Sequence, residues 1–261
     1  MKKFKLLALI GLILATSCTS YKQVPYLKNS KEIDTTIVTE LYDARIQPKD
    51  MLTITVSSEN QEAAIPFNLT VATTGSLNSR STYSQPVLQT YLVDNNGYIE
   101  FPTIGQLHIS GLTKTETESL IKSKIKSHFS SDPIVNVRFT NYKISVLGEV
   151  ARPNTYTISN EKVNLFEALA MAGDLTIYGK RDGIKLIREE MDGTKKIIPI
   201  NLNDANLIYS PYYYLRQNDV IYVEPNKAKA QNSEIGSMTS MFFSATSIMI
   251  SIANLLFNIL N

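Results

Sequence analysis

Few side chains in these 261 residues are suited to covalent chemistry: one cysteine, Cys18, and two histidines, His108 and His128. A single thiol excludes an intramolecular disulfide framework and any thiolate-cluster zinc site. The histidines fall in ordinary strand and helix patterns with no spaced carboxylate partner, and no Gly-rich phosphate loop is present. The expectation is therefore no catalytic residue, no metal, no cofactor and no enzymatic activity. Cys18 is the exception, because its surroundings suit lipid attachment at the thiol.

Met1-Lys2-Lys3-Phe4-Lys5 is a positive stretch, followed by a ten-residue apolar run from Leu6 to Ala15. That run is too short to span a bilayer, which takes about 20 residues, but it suits a secretory leader. Small residues Ala15-Thr16-Ser17 precede Cys18. The arrangement resembles the lipobox of bacterial lipoproteins, with Ala15 in place of the usual Leu and Leu14 one position earlier. The alternative is a plain signal peptide with a chance cysteine. The lipobox resemblance implies a leader over 1–17, acylation at Cys18 and a tether over 18–40. No Asp follows Cys18 to argue for inner-membrane retention, so the outer membrane is expected. The formal charge of +2 includes Lys2, Lys3 and Lys5, so the remainder carries −1. A near-neutral chain gives no reason to expect nucleic acid.

The other end is equally unusual, with no charged residue after Glu234. Polar residues fall at Ser240, Ser244, Ser247, Ser251, Asn254, Asn258 and Asn261, at spacings of 4, 3, 4, 3, 4 and 3. Around them lie large apolar residues, of which Phe242, Phe243, Ile248, Ile252, Leu256 and Leu260 are candidates to face lipid. As a helix, 240–261 would extend about 33 Å, enough for a hydrocarbon core of about 30 Å. Three readings stay open. The stripe lines an aqueous pore in a ring of copies, it glues a compact bundle, or the helix is an ordinary anchor. A helix lying flat on the surface would be expected to carry Lys or Arg.

Between these ends, period-2 and period-3.6 patterns alternate, predicting an α+β fold. Pro48 and Asp50 form a turn into a strand with Leu52, Ile54 and Val56 on one face. The same grammar returns at Asp219: aligning it with Asp50 matches apolar residues at 46/215, 51/220, 52/221 and 54/223. This is either a duplicated unit or two uses of one turn. Residues 57–90 read as a long loop. Asn96-Gly97 predicts a type I′ hairpin turn between 91–95 and 98–101. Thr113 and Glu116 open a helix with Ile121, Ile125 and Phe129 on one face, and Val135, Val137 and Phe139 form a strand. From Tyr142 the order β-β-α-β-β-β suits a small mixed sheet clasping one helix. Gly148 ends its first strand, Asn164 and Glu167 cap its helix, and Gly173 terminates it.

The order of motifs resembles the outer-membrane polysaccharide export family, the Wza-like capsule and exopolysaccharide translocons. The resemblance rests on 46–54, 96–105, 111–116, Val146-Leu-Gly-Glu-Val150 with Pro153, 168–173 and 218–223. It implies a polysaccharide export domain over 41–141 and one β-grasp domain of the SLBB type over 142–226. A linker over 227–237 and a C-terminal amphipathic transmembrane helix over 238–261 would follow. It further implies a homo-oligomeric ring, an inner-membrane co-polymerase as partner, often with a tyrosine kinase, and a polysaccharide as transported substrate. The bulk of the chain would be periplasmic, anchored by lipid to the outer membrane.

The leading expectation is a channel for capsular or exopolysaccharide, its lumen lined by the Ser/Asn stripe. The alternative is a lipid-anchored glycan-binding module with a tail anchor and no pore, in which Tyr209, Tyr212, Tyr213 and Tyr214 stack on sugars. Against that stands a purely structural aromatic cluster.

Overall fold

The computed structural model describes residues 25–33, 41–72, 86–234 and 238–259. The architecture is α+β, with two hydrophobic cores.

The first core is built from β1 (Met51–Ser57), α1 (Gln61–Ala64), β2 (Thr70–Ala72), β3 (Pro86–Leu88), β4 (Tyr91–Leu92), β5 (Tyr98–Phe101), β6 (Gly105–His108), α2 (Lys114–Ile125) and β7 (Ile134–Phe139). Alternation in β1 turns Leu52, Ile54 and Val56 inward. Ile54 and Val56 sit opposite Val137 and Val135 of the antiparallel β7. Across this pair lies α2, opened by a full capping box between Thr113 and Glu116 and burying Thr117, Ile121 and Ile125 at i, i+4 and i+8.

The second core is built from β8 (Lys143–Gly148), β9 (Asn154–Thr157), α3 (Leu165–Met171), β10 (Gly179–Glu189), β11 (Lys195–Ile200) and β12 (Val220–Pro225). The sheet order is β11-β10-β12-β8-β9, with β8 and β12 parallel at its heart and every other pair antiparallel. Parallel pairing of first and last strands requires a long crossover, which α3 and the β10–β11 hairpin supply. A capping box at Asn164 and Glu167 starts α3. It ends as expected at Gly173, where Asp174 N–H bonds to the Leu169 carbonyl and Gly173 N–H to that of Ala170, a Schellman closure. Beyond β12 come α4 (Lys227–Glu234) and α5 (Met238–Ile259).

Four expectations change. Residues 91–95 and 98–101 do not form one hairpin: β4 pairs with β1, and β5 pairs with β6. Only Gly97 has positive φ (85°), so the turn is not type I′. Asp94 closes the turn instead: its carboxylate takes the N–H groups of Asn96 and Tyr98, each at 2.8 Å, its carbonyl accepts the Gly97 N–H (3.2 Å), and its own N–H donates to the Tyr98 carbonyl (2.9 Å). Phe129 lies past the end of α2, because Lys126–His128 tighten into a 3-10 turn. It still packs beside Phe67, at 5.2 Å. Residues 57–90 are not simply a loop, since they hold α1 and the β2–β3 pair, with 73–85 outside the described residues. Finally, 25–33, read as part of a tether, lie against the second sheet.

Candidate functional site

The two aligned turns prove to be one geometry used twice. In the first, Asp50 N–H bonds to the Gln47 carbonyl (3.1 Å), Lys49 takes φ 72°, and the Asp50 carboxylate accepts the Gln47 N–H at 2.8 Å. In the second, Asp219 N–H bonds to Arg216 (3.2 Å), Asn218 takes φ 64°, and the carboxylate accepts the Arg216 N–H at 2.7 Å. Both are type II turns, with Pro48 in the position that prefers it. The strand registers follow, so Ile46 and Leu215, Leu52 and Ile221, Ile54 and Val223 are all buried. The surrounding sheets differ. β1 has two antiparallel neighbours, whereas β12 is parallel to β8. The repeat is therefore limited to a turn running into a strand.

The two carboxylates differ in their partners. Asp219 meets the buried Arg188 guanidinium at 2.6 and 3.0 Å. Burial pushes Asp219 up, and the Arg188 charge opposes it. Asp50 is fully buried, its Oδ1 has no hydrogen-bond partner among the described residues, and burial pushes its carboxyl up to about 7.

Both turns grip the junction between the cores. Asn141 Oδ1 accepts the Met51 N–H (3.0 Å), and the Asn141 carbonyl accepts Gln217 Nε2 (2.7 Å). The Gln217 Oε1 in turn accepts the Lys143 N–H at 2.8 Å. Glu161, from the second core, accepts the Phe139 N–H of β7 (3.1 Å) and pairs with Lys114 of α2 (3.0 Å). Sequence reasoning missed Asn141, Glu161 and Gln217, since isolated polar residues in turns carry no periodic signal.

A cleft of about 470 Å³ opens along this seam, lined in part by Tyr42, Arg45, Gln47, Met191, Tyr214 and Arg216. Tyr214 is stacked on Tyr42 (4.8 Å between centroids), lies under Lys162 and meets Tyr213 edge-on. Tyr212 covers Arg188. Much of the tyrosine group is thus engaged in packing. His108 and His128 are exposed and sit beside Tyr98 and Phe67.

The C-terminal candidates fall on α5. An α-helix places Ser240, Ser244, Ser247, Ser251, Asn254 and Asn258 within an arc of about 80°. The Ser251 hydroxyl donates to the Ser247 carbonyl at 2.9 Å, which satisfies it within the helix. Phe243, Ile248 and Ile252 are more than half exposed. Phe242 and Leu256 are placed on the helix by backbone alone, and Cys18, Leu260 and Asn261 lie outside the described residues. Among the described residues no helix is long and apolar enough to cross a membrane. By that criterion the transmembrane segment expected over 238–261 is not supported, and α5 stands as an amphipathic helix. At Gly148, with φ 88°, an added Cβ would run into the Val223 carbonyl oxygen, which accounts for a glycine there.

The family model described as polysaccharide biosynthesis/export protein matches residues 38–140, and an SLBB domain model matches 142–223. Together the two matches support a polysaccharide export family for this chain. The residues of the first core fall within the first match, and nearly all those of the second fall within the SLBB match. Two curated relatives are named EPS I polysaccharide export outer membrane protein EpsA. The one from Ralstonia nicotianae is 30% identical over 146 residues, covering 53% of this chain and 36% of the relative. The one from Ralstonia solanacearum is 30% identical over 146 residues, covering 54% and 38%. The match thus spans little more than a third of the relatives' length.

Proposed function

We propose that this protein is an outer-membrane lipoprotein that carries capsular or exopolysaccharide across the outer membrane as a homo-oligomeric ring. Acylation at Cys18 anchors each copy, the export and SLBB domains stand in the periplasm, and α5 enters the membrane. The stripe Ser240, Ser244, Ser247, Ser251, Asn254, Asn258 and Asn261 lines the path, while the arc containing Phe242, Phe243, Ile248, Ile252, Leu256 and Leu260 meets lipid. Transport energy comes from an inner-membrane co-polymerase.

One observation carries the reading. A helix of 22 residues follows an export domain and an SLBB domain, with Ser/Asn on one face and described apolar side chains left exposed. Such an arc is stable only when covered, and lipid or neighbouring copies would cover it. A sugar polymer passes best through an uncharged hydroxyl- and amide-lined route that does not hold it tightly. The relatives' names, EPS I polysaccharide export outer membrane protein, support polysaccharide as the substrate class.

The test is the mass of the detergent-extracted, acylated protein against a version truncated after Lys229. A discrete oligomer whose membrane conductance is lost on truncation is the expected result. A monomer at every detergent level would overturn it in favour of a second reading, a lipid-anchored glycan-binding module. The observation favouring that module is the tyrosine-walled cleft at the seam. It would bind oligosaccharide measurably as a monomer.

A further inference from the structure

Both membrane-directed ends of the chain meet one loop of the SLBB domain, residues 174–179 between α3 and β10. On one side the Tyr26 hydroxyl donates to Asp174, and its ring lies 5.9 Å from that of Phe166. Burial and the Asp174 carboxylate hold the phenol protonated. Leu27 N–H then bonds to the Leu202 carbonyl (2.9 Å) and Leu202 N–H to the Arg181 carbonyl (2.8 Å). Cys18 is eight residues before Tyr26, within about 28 Å even when fully extended.

On the other side the Asn226 N–H donates to the Tyr178 carbonyl at 2.7 Å, and the Asn226 side chain caps α4 through the Lys229 N–H at 3.0 Å. The Lys229 ammonium lies over the Tyr178 ring, 3.6 Å from Glu149. α5 is the next described element, beginning four residues after the last residue of α4. Between the two attachments stands Ile177, 79% exposed. The loop presenting it is stiff: Thr176 donates to Glu149 at 2.9 Å, and Arg181 closes the base through the Thr176 and Gly179 carbonyls at 3.2 and 2.7 Å. The neighbouring cation Lys180 is paired with Glu224.

We propose that the 174–179 loop is a lipid-contacting surface, on which Ile177 enters the interfacial layer of the bilayer holding Cys18 and α5. This rests on the membrane roles given above to those two ends. The occupant is the acyl and glycerol zone of a membrane. With Lys180 and Lys229 already paired, attraction to anionic headgroups contributes little. The SLBB domain therefore stands on the bilayer by this end, with the β10–β11 turn at the far end of an 11-residue strand.

The experiment uses the full acylated protein in phosphatidylcholine vesicles, with and without brominated acyl chains. Acylation consumes Cys18, so an introduced cysteine is the sole free thiol for a fluorophore. Ile177→Cys, Ile252→Cys on α5 and Lys195→Cys at the far end are labelled in turn. All three positions are exposed, where substitution barely alters stability. The expected result is loss of emission at 177 and 252 and none at 195. Loss at 252 with 177 behaving like 195 overturns the loop proposal and leaves the export reading standing. Loss at 177 without loss at 252 supports the loop and removes the helix from the membrane. Emission unchanged at both overturns both.

Discussion

Asp50 and Asp219 occupy equivalent turns and burial raises both, yet among the described residues only Asp219 faces a cation that opposes the rise. With its folded-state carboxyl pushed to about 7 from an ordinary 3.8, Asp50 binds its proton more tightly folded than unfolded. Its contribution to stability is complete below about pH 4 and is lost as pH rises through about 7. Asp50→Asn keeps an acceptor for the Gln47 N–H and removes the charge. We expect it to raise the urea midpoint at pH 8 and to flatten the change between pH 5 and pH 8; an unaltered slope would refute the assignment. Arg188→Met strands the Asp219 carboxylate in the core, at a cost of about 3–5 kcal/mol. Adding Asp219→Asn should restore part of that loss in denaturant titrations, and no recovery would mean the pair is not coupled.

The elements were legible where periodicity was strong. The alternation of β1, the capping boxes of α2 and α3 and the closure at Gly173 all follow from local residues. The hairpin around Gly97 was misread because Asp94, not the Asn-Gly pair, closes the turn, and because β1 takes β4 as its partner. For α5, helical geometry places the stripe on one face, and the predicted consequence is electrostatic. Ser247→Asp combined with Ser251→Asp should impair polysaccharide export and shift the ion selectivity of reconstituted protein while the oligomer's mass is unchanged. Normal export in that variant would place any narrow lumen elsewhere.

At the scale of the molecule, the two domains are joined by side chains converging on Asn141 and by Glu161 reaching across to β7 and α2. Asn141→Ala removes the acceptor of the exposed Met51 N–H, costing about 0.5–1.5 kcal/mol. Calorimetry should then resolve two unfolding transitions in place of one; a single transition at the original temperature would show that Asn141 does not couple the domains. By itself, the sequence determined the strand and helix patterns, the repeated turn and the stripe of α5, because each is written in contiguous residues through local hydrogen bonding and apolar spacing. Only the tertiary structure decided which carboxylate is paired, what holds the seam, and that Tyr26 and Asn226 meet the same loop. Those contacts join residues more than twenty positions apart, brought together by burial of two cores that no local pattern specifies.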